Sequence, residues 1–167
     1  MNHDDTRTQF RNAMASLGAA VNVITTDGSH GRCGITASAV CSVTDTPPIM
    51  LVCINQSSYV HDVLQGNGRV CINVLGARAQ ELARVFAGMT GCSMDERFDR
   101  CEWQRGPLGA PVLDDAIANL EGKIIDSKTV GSHSVIFVQI ESIATRDDGD
   151  GLVYFGRQFH QLAREAA

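Results

Sequence analysis

The chain has 167 residues, with 14 Lys+Arg against 19 Asp+Glu and six cysteines, giving a formal net charge of −5. A single domain over residues 1–167 is expected, able to bury roughly 69% of the surface its extended form exposes, so disulfide or metal staples are not needed. The acidic balance argues against a nucleic-acid binder, no run nears the ~20 apolar residues of a membrane-crossing helix, and the acidic opening is the reverse of a secretory signal, so a cytoplasmic protein is expected.

Phe10, Ala13, Met14 and Leu17 recur at i, i+3, i+4 and i+7, which predicts an amphipathic helix over 4–17 stopped by Gly18. Residues 21–26 read as a strand and 27–31 as a turn. The small-residue stretch 33–43 holds two strands with an irregular join, ended by Pro47-Pro48. Residues 49–54 are continuously apolar, which predicts a strand buried on both faces. Val60, Val63 and Leu64 give a short helix closed by Gly66-Asn67-Gly68. A strand over 69–74 and a helix over 77–86 follow, the latter from the spacing of Leu82, Val85 and Phe86. Residues 88–111, with Gly, Pro and the lone Trp103, read as a long excursion. Two long strands are expected over 118–126 and 134–143, with 147–151 as a hairpin turn into a strand over 152–155.

Six or seven strands, a few short helices and no regular βαβ alternation point to an antiparallel barrel with helical additions. The Gly-x-Gly-x-x-Gly dinucleotide fingerprint and the P-loop are both absent, so any nucleotide is held differently. The cysteines form no Cys-x-x-Cys pair and read as small hydrophobes or bystander thiols, with no metal expected. That spacing disfavours a disulfide or metal redox protein.

Three places carry candidate chemistry, each with a plainer alternative. Residues 34–44 alternate tiny hydroxyl-bearing and apolar side chains, which suits close approach of a flat ligand or simply a half-exposed strand. Asn55-Gln56-Ser57-Ser58 opens a helix, where a serine caps the first turn or the free amides hold a phosphate. His133, in Gly131-Ser132-His133, is a donor or stacking surface at a cofactor edge, or a solvated turn residue. The five histidines are scattered, and neither His30 nor His61 has a partner at ligand spacing. No nucleophile–base pair stands out, so the residues by themselves point to a binding scaffold whose ligand brings the reactivity.

Several stretches resemble one family in order: 10–17, 19–26, the telling 34–48, then Asn73-Val74-Leu75, Phe86-Ala87, Arg97-Phe98 and Gly131-Ser132-His133. Over roughly residues 8–162 the chain resembles the short-chain flavin reductases. Phe86-Ala87-Gly88-Met89-Thr90-Gly91 and Leu120-Glu121-Gly122 are most similar to the branch serving 4-hydroxyphenylacetate 3-monooxygenase. A reductase of pyrimidine breakdown and a non-catalytic flavin-binding protein on the same barrel are the alternatives. The resemblance implies an FMN-binding split β-barrel, usually a homodimer. Its implied activity is oxidation of NADH or NADPH and release of reduced FMN or FAD to a separate flavin-dependent monooxygenase of aromatic catabolism. It also implies that Thr36, Ala37, Ser38 and Ala39 line the flavin ring, and that Cys53, Ile54 and Asn55 meet it from the neighbouring strand. Ser57 and Ser58 would take the phosphate region with help from Arg84, and His133 would sit near the nicotinamide. Many members carry an acid where this chain has Ser132, so no role of that acid is carried over.

Overall fold

A computed structural model describes residues 3–165, and its first element is the helix α1 (His3–Met14). Asp4 and Asp5 in its first turn and Arg11 in its last complement the helix dipole. It ends a turn earlier than the spacing predicts, and its apolar stripe finds no core, because Phe10, Met14 and Leu17 are all exposed.

The strands follow as β1 (Ala19–Ala20), β2 (Asn22–Thr26), β3 (Cys33–Ala37), β4 (Val40–Asp45) and β5 (Pro48–Asn55). Pro47 closes β4 and Pro48 sits at the start of β5, where a missing backbone donor is tolerated. Helix α2 (Tyr59–Asn67) is capped by the Ser58 side chain, which accepts from Val60 N–H at 3.3 Å. Gly68 ends it at φ 67°, the left-handed geometry that favours glycine there. Next come β6 (Arg69–Val74), a 3-10 turn (Ala77–Ala79) running into α3 (Gln80–Phe86), and α4 (Met94–Phe98). The chain then builds β7 (Trp103–Arg105), β8 (Pro111–Leu113), β9 (Ala118–Val130), β10 (His133–Thr145), β11 (Gly151–Phe155) and β12 (Gln158–Leu162).

All strand pairs among the described residues are antiparallel, and no helix there is long and apolar enough to cross a membrane. The main sheet has seven strands in the order β3-β2-β6-β9-β10-β5-β4. Its two edges, β3 and β4, are consecutive in the chain and are separated only by Ser38 and Ala39. That short join forces the sheet to curl until its edges meet at one corner without pairing along their length, the geometry of a split barrel. A smaller sheet, β1-β11-β12, and the hairpin β7-β8 pack around it.

Helix α2 covers one face of the sheet, burying Val63 and Leu64 against Ile24, Ile54, Ile72 and Ile136. On the other face, Val21, Val23 and Leu75 pack with Leu82, Phe86 and Phe98 of α3 and α4. Phe86 packs edge-on against Phe98 and Trp103, which tilt against each other, with centroids 5.1–5.6 Å apart. Gly34 makes room for it, since a Cβ there would lie 2.8 Å from the Phe86 ring.

Three expectations change. The continuously apolar run in β5 is not buried on both faces: Val52 and Ile54 point inward, whereas Ile49, Leu51 and Cys53 face outward and are half-exposed. The excursion 88–111 contains α4, held by a reciprocal Ser93–Glu96 capping box, and most of the β7-β8 hairpin. Residues 147–151 are not a hairpin turn: β10 and β11 lie in different sheets, so the segment is a crossing between them.

One buried side chain ties the second face together. Asn73 donates from Nδ2 to the Val23 carbonyl at 2.9 Å and to Thr25 Oγ1 at 3.0 Å. Its Oδ1 accepts from Leu113 N–H and from Asn119 Nδ2, each at 2.9 Å. It thereby links β2, β6, β8 and β9 with every polar atom matched. Asn73→Ala would leave the Leu113 amide unpaired and is expected to lower unfolding free energy by about 2–4 kcal/mol. Urea denaturation reads this, and a loss under about 1 kcal/mol would remove Asn73 as a tie.

Candidate functional site

The corner where the sheet edges meet gathers most of the residues singled out above. Thr36 and Ala37 end β3, Ser38 and Ala39 form the join, and Cys53, Ile54 and Asn55 end β5. The Cys53 N–H donates to the Ala39 carbonyl at 2.9 Å, which fastens the join to β5. Ser38 and Ala39 are exposed and carry almost no side chain, so the backbone of the join is open to a flat ligand. Ile54 is buried in the core at 3% exposure, so only its backbone can face a ligand.

Beside this corner, β5 runs into α2. Ser57 donates from both its N–H and its hydroxyl to Asn55 Oδ1, each at 2.9 Å. Ser58 is the helix cap. The turn Gly131-Ser132 returns β9 into β10, with Gly131 at φ 57° as a two-residue hairpin loop favours. That turn sets His133 directly opposite Asn55 in the β10–β5 register. The His133 ring Nδ1 lies 2.9 Å from Ser132 Oγ.

Two residues stand apart in their contacts. The Thr36 hydroxyl donates to the Ala83 carbonyl at 2.7 Å, so it fastens β3 to α3. Arg84, one residue on, extends over the Phe159 ring with its guanidinium 5.6 Å from the centroid. It lines a cavity of about 330 Å³ with Met89, Tyr154, Arg157 and Phe159. A larger groove of about 840 Å³ runs along α3, but its Arg146 is already held by Asp148 and Asp115.

Sequence reading missed one network. His61 does have a partner: its Nε2 lies 2.9 Å from Ser134 Oγ, while Nδ1 lies 2.8 Å from Asp62 Oδ1. Gln56 Nε2 donates to the same Ser134 Oγ at 3.2 Å and to Thr129 Oγ1 at 2.9 Å. Only Asp62, the next residue, was visible locally. The Ser134 contact spans 73 positions and exists because the β9-β10 hairpin lies over α2.

All six cysteines are free thiols. Burial pushes Cys33 and Cys71 up to about 12 and Cys101 to about 11, with nearby acids adding to the shift. Burial also raises Cys53, with the Cys41 thiol a further cause. Cys92 moves the other way, lowered by the Thr90 hydroxyl and then by Arg100.

A small-residue join, a helix N-terminus with serines and an imidazole across the strand pair form a donor set, with the Asp62 carboxylate in the first turn of α2 engaged by His61. It fits a flat ring carrying an anionic tail. The description "Flavin reductase like domain" matches residues 14–163. The 4-hydroxyphenylacetate 3-monooxygenase reductase component of Salmonella typhimurium is 57% identical over 99% of this chain and 97% of its own. The FMN reductase (NADH) RutF of Variovorax paradoxus is 48% identical over 94% of this chain and 86% of its own. The solved Streptomyces globisporus NADH:FAD oxidoreductase SgcE6, in complex with NAD and FAD fragments, superposes at TM-score 0.88. It is 27% identical, with coverage of 100% of this chain and 99% of that one.

The thiol environments set an order of reactivity. A lowered Cys92 carries more thiolate at neutral pH, whereas a thiol near 11 carries about one part in ten thousand at pH 7. A disulfide reagent at pH 7 is expected to label Cys92 fastest and to reach Cys33 and Cys71 only after unfolding. Cys92→Ser should delete the fastest phase, and its survival would contradict the assignment.

Proposed function

The chain belongs to the flavin reductase-like family, and on that premise we propose that it is an NAD(P)H-dependent flavin reductase supplying reduced FMN or FAD to a separate flavin-dependent monooxygenase. The partner is an oxygenase of the 4-hydroxyphenylacetate 3-monooxygenase kind, by the names of its relatives at 52–57% identity. The FMN reductase relative, at 48%, fits the pyrimidine-breakdown alternative less well. The observation that carries the reading is the open corner of the sheet, where the small-residue join, the start of α2 and His133 converge. A cytoplasmic setting goes with this partnership.

A bound flavin supplies the ring that takes up hydride from the nicotinamide. What the chain contributes is position: reacting atoms must be held ~3–3.5 Å apart and aligned. Ala37, Ser38 and Ala39 let the ring lie against backbone, and amides of the join stabilise negative charge that builds on it. Cys53 and Asn55 close the adjoining side. Ser57 and Ser58 face the phosphate, with the start of α2 behind them. The Ser57 donors are already engaged by Asn55, so a phosphate competes for them, while the Ser58 hydroxyl, which accepts from Val60 N–H, keeps its own proton to donate. Such competition weakens binding. His133, exposed opposite Asn55, meets the nicotinamide. Arg84 assists as a cation from the α3 side, and no acid–base residue is required.

Weak binding suits the task. With association at ~10⁶–10⁷ M⁻¹s⁻¹, a ~1 μM site releases its ligand at roughly 1–10 per second, comparable to a median turnover of ~10 per second. A ~1 nM site would be about a thousand-fold slower.

The outward face of β4, β5 and β10 supports a homodimer. Cys41, Leu51 and Phe137 lie in register across the three strands, flanked by half-exposed Ile49, Cys53 and Val135. A second copy covering this face would also wall the flavin side of Cys53. Sedimentation is expected at twice the chain mass, and a particle of 17.9 kDa would remove the dimer.

NADH oxidation is expected to depend on added FMN or FAD, with half-saturation near ~1 μM flavin. Flavin retained through gel filtration, with no turnover of added flavin, would instead favour a non-catalytic binder. His133→Ala should raise KM for NADH more than the dissociation constant for FMN. Unchanged NADH constants would take His133 out of the site.

A further inference from the structure

His61, Gln56 and Ser134 lie directly behind the proposed nicotinamide contact. In β10, side chains alternate, so His133 faces outward while Ser134 turns into the barrel at 3% exposure. There Ser134 Oγ meets His61 Nε2 at 2.9 Å, and His61 Nδ1 meets Asp62 Oδ1 at 2.8 Å. The order Ser–His–Asp is that of a nucleophile triad, but Ser134 is sealed in the interior where no substrate reaches it. Its role is mechanical.

The polarity of the network is determined by its ends. A carboxylate only accepts, so in its neutral form His61 carries its proton on Nδ1 and leaves Nε2 as an acceptor. Ser134 then donates its hydroxyl to Nε2 and accepts from Gln56 Nε2 at 3.2 Å. Gln56 also donates to Thr129 Oγ1, so one amide holds both strands of the hairpin, where Ser134 and Thr129 are register partners. The Gln56 backbone N–H donates to the Ser132 carbonyl at 3.0 Å, inside the turn itself. The hairpin tip is therefore fastened from three directions to the junction of β5 and α2. That junction carries Asn55, Ser57 and Ser58.

We propose that His61, Gln56 and Ser134 are positioning residues that lock the His133 turn to the flavin-side junction, so that the nicotinamide and flavin contacts keep one spacing. The inference rests on the flavin reductase reading, and it adds residues that contact neither ligand. It differs from a packing role because it acts on one substrate: the tip carries the NADH contact, while the flavin contacts sit on the junction that anchors it.

Ser134→Ala and His61→Ala are each expected to raise KM for NADH about five-fold, the worth of one ordinary hydrogen bond. Within about two-fold, kcat and the dissociation constant for FMN should stay as they are, and His61→Gln and Ser134→Thr should restore part of the loss. The double variant should cost no more than either single one, since both break the same link. Two readouts stand outside turnover: calorimetric affinity for NAD+ in the presence of FMN, and hydrogen exchange at the amides of residues 131–133, which should quicken. Variants that lose thermal stability yet keep the NADH constant and the exchange rates would overturn the proposal, as would fully additive singles. A parent chain that oxidises no NADH with added FMN overturns the proposed function and this inference together. An active parent with unchanged variants overturns this inference alone.

Discussion

Two residues set the geometry on which everything else depends. Ser38 and Ala39 are the whole connection between β3 and β4, and those strands are the opposite edges of a seven-stranded sheet. A chain spans at most ~3.6 Å per residue, so the edges can never separate at that corner. The remaining strands must bend around to accommodate it, which right-handed sheet twist makes possible. The same shortness keeps the corner lined by backbone and tiny side chains. Closure of the fold and openness of the site thus have one cause.

The two faces of the sheet are stabilised by different means. Behind α2 the packing is aliphatic, with Ile24, Ile72 and Ile136 meeting Val63 and Leu64. On the other face, aromatic rings from α3, α4 and β7 share space with the Asn73 network. A buried amide with every atom paired specifies one register, because sliding β6 by one residue would strand its partners. Glu121 is a less settled member of that face: Oε1 accepts from Ala110 N–H at 2.9 Å, while buried Oε2 has no partner among the described residues.

Local pattern carried much of this. The strand over 69–74 was readable to the residue, because apolar runs and the glycines before it mark both ends. The irregular join within 33–43 was also legible, and the structure puts it at Ser38 and Ala39. What failed did so for non-local reasons. An apolar run such as 49–54 cannot say whether its outward side chains meet the same chain or another surface. Residues 147–151 have hairpin composition, yet partner choice sends β11 to β1 and β12. The His61 contact was invisible for the same reason. His61 has nothing at ligand spacing, and Ser134 reaches it only through the register of a hairpin folded over a helix.

The cysteines have a bearing on durability. An enzyme that makes reduced carriers works where oxygen is readily turned into peroxide, and peroxide attacks thiolates rather than thiols. Holding Cys33 and Cys71 near 12 keeps them protonated, hence slow to oxidise at two fully buried positions where added oxygens would not fit. Oxidative wear is expected instead at Cys92, whose thiol is lowered by Thr90 and Arg100 and lies outside the two cores. The same burial that packs the barrel also ages it slowly.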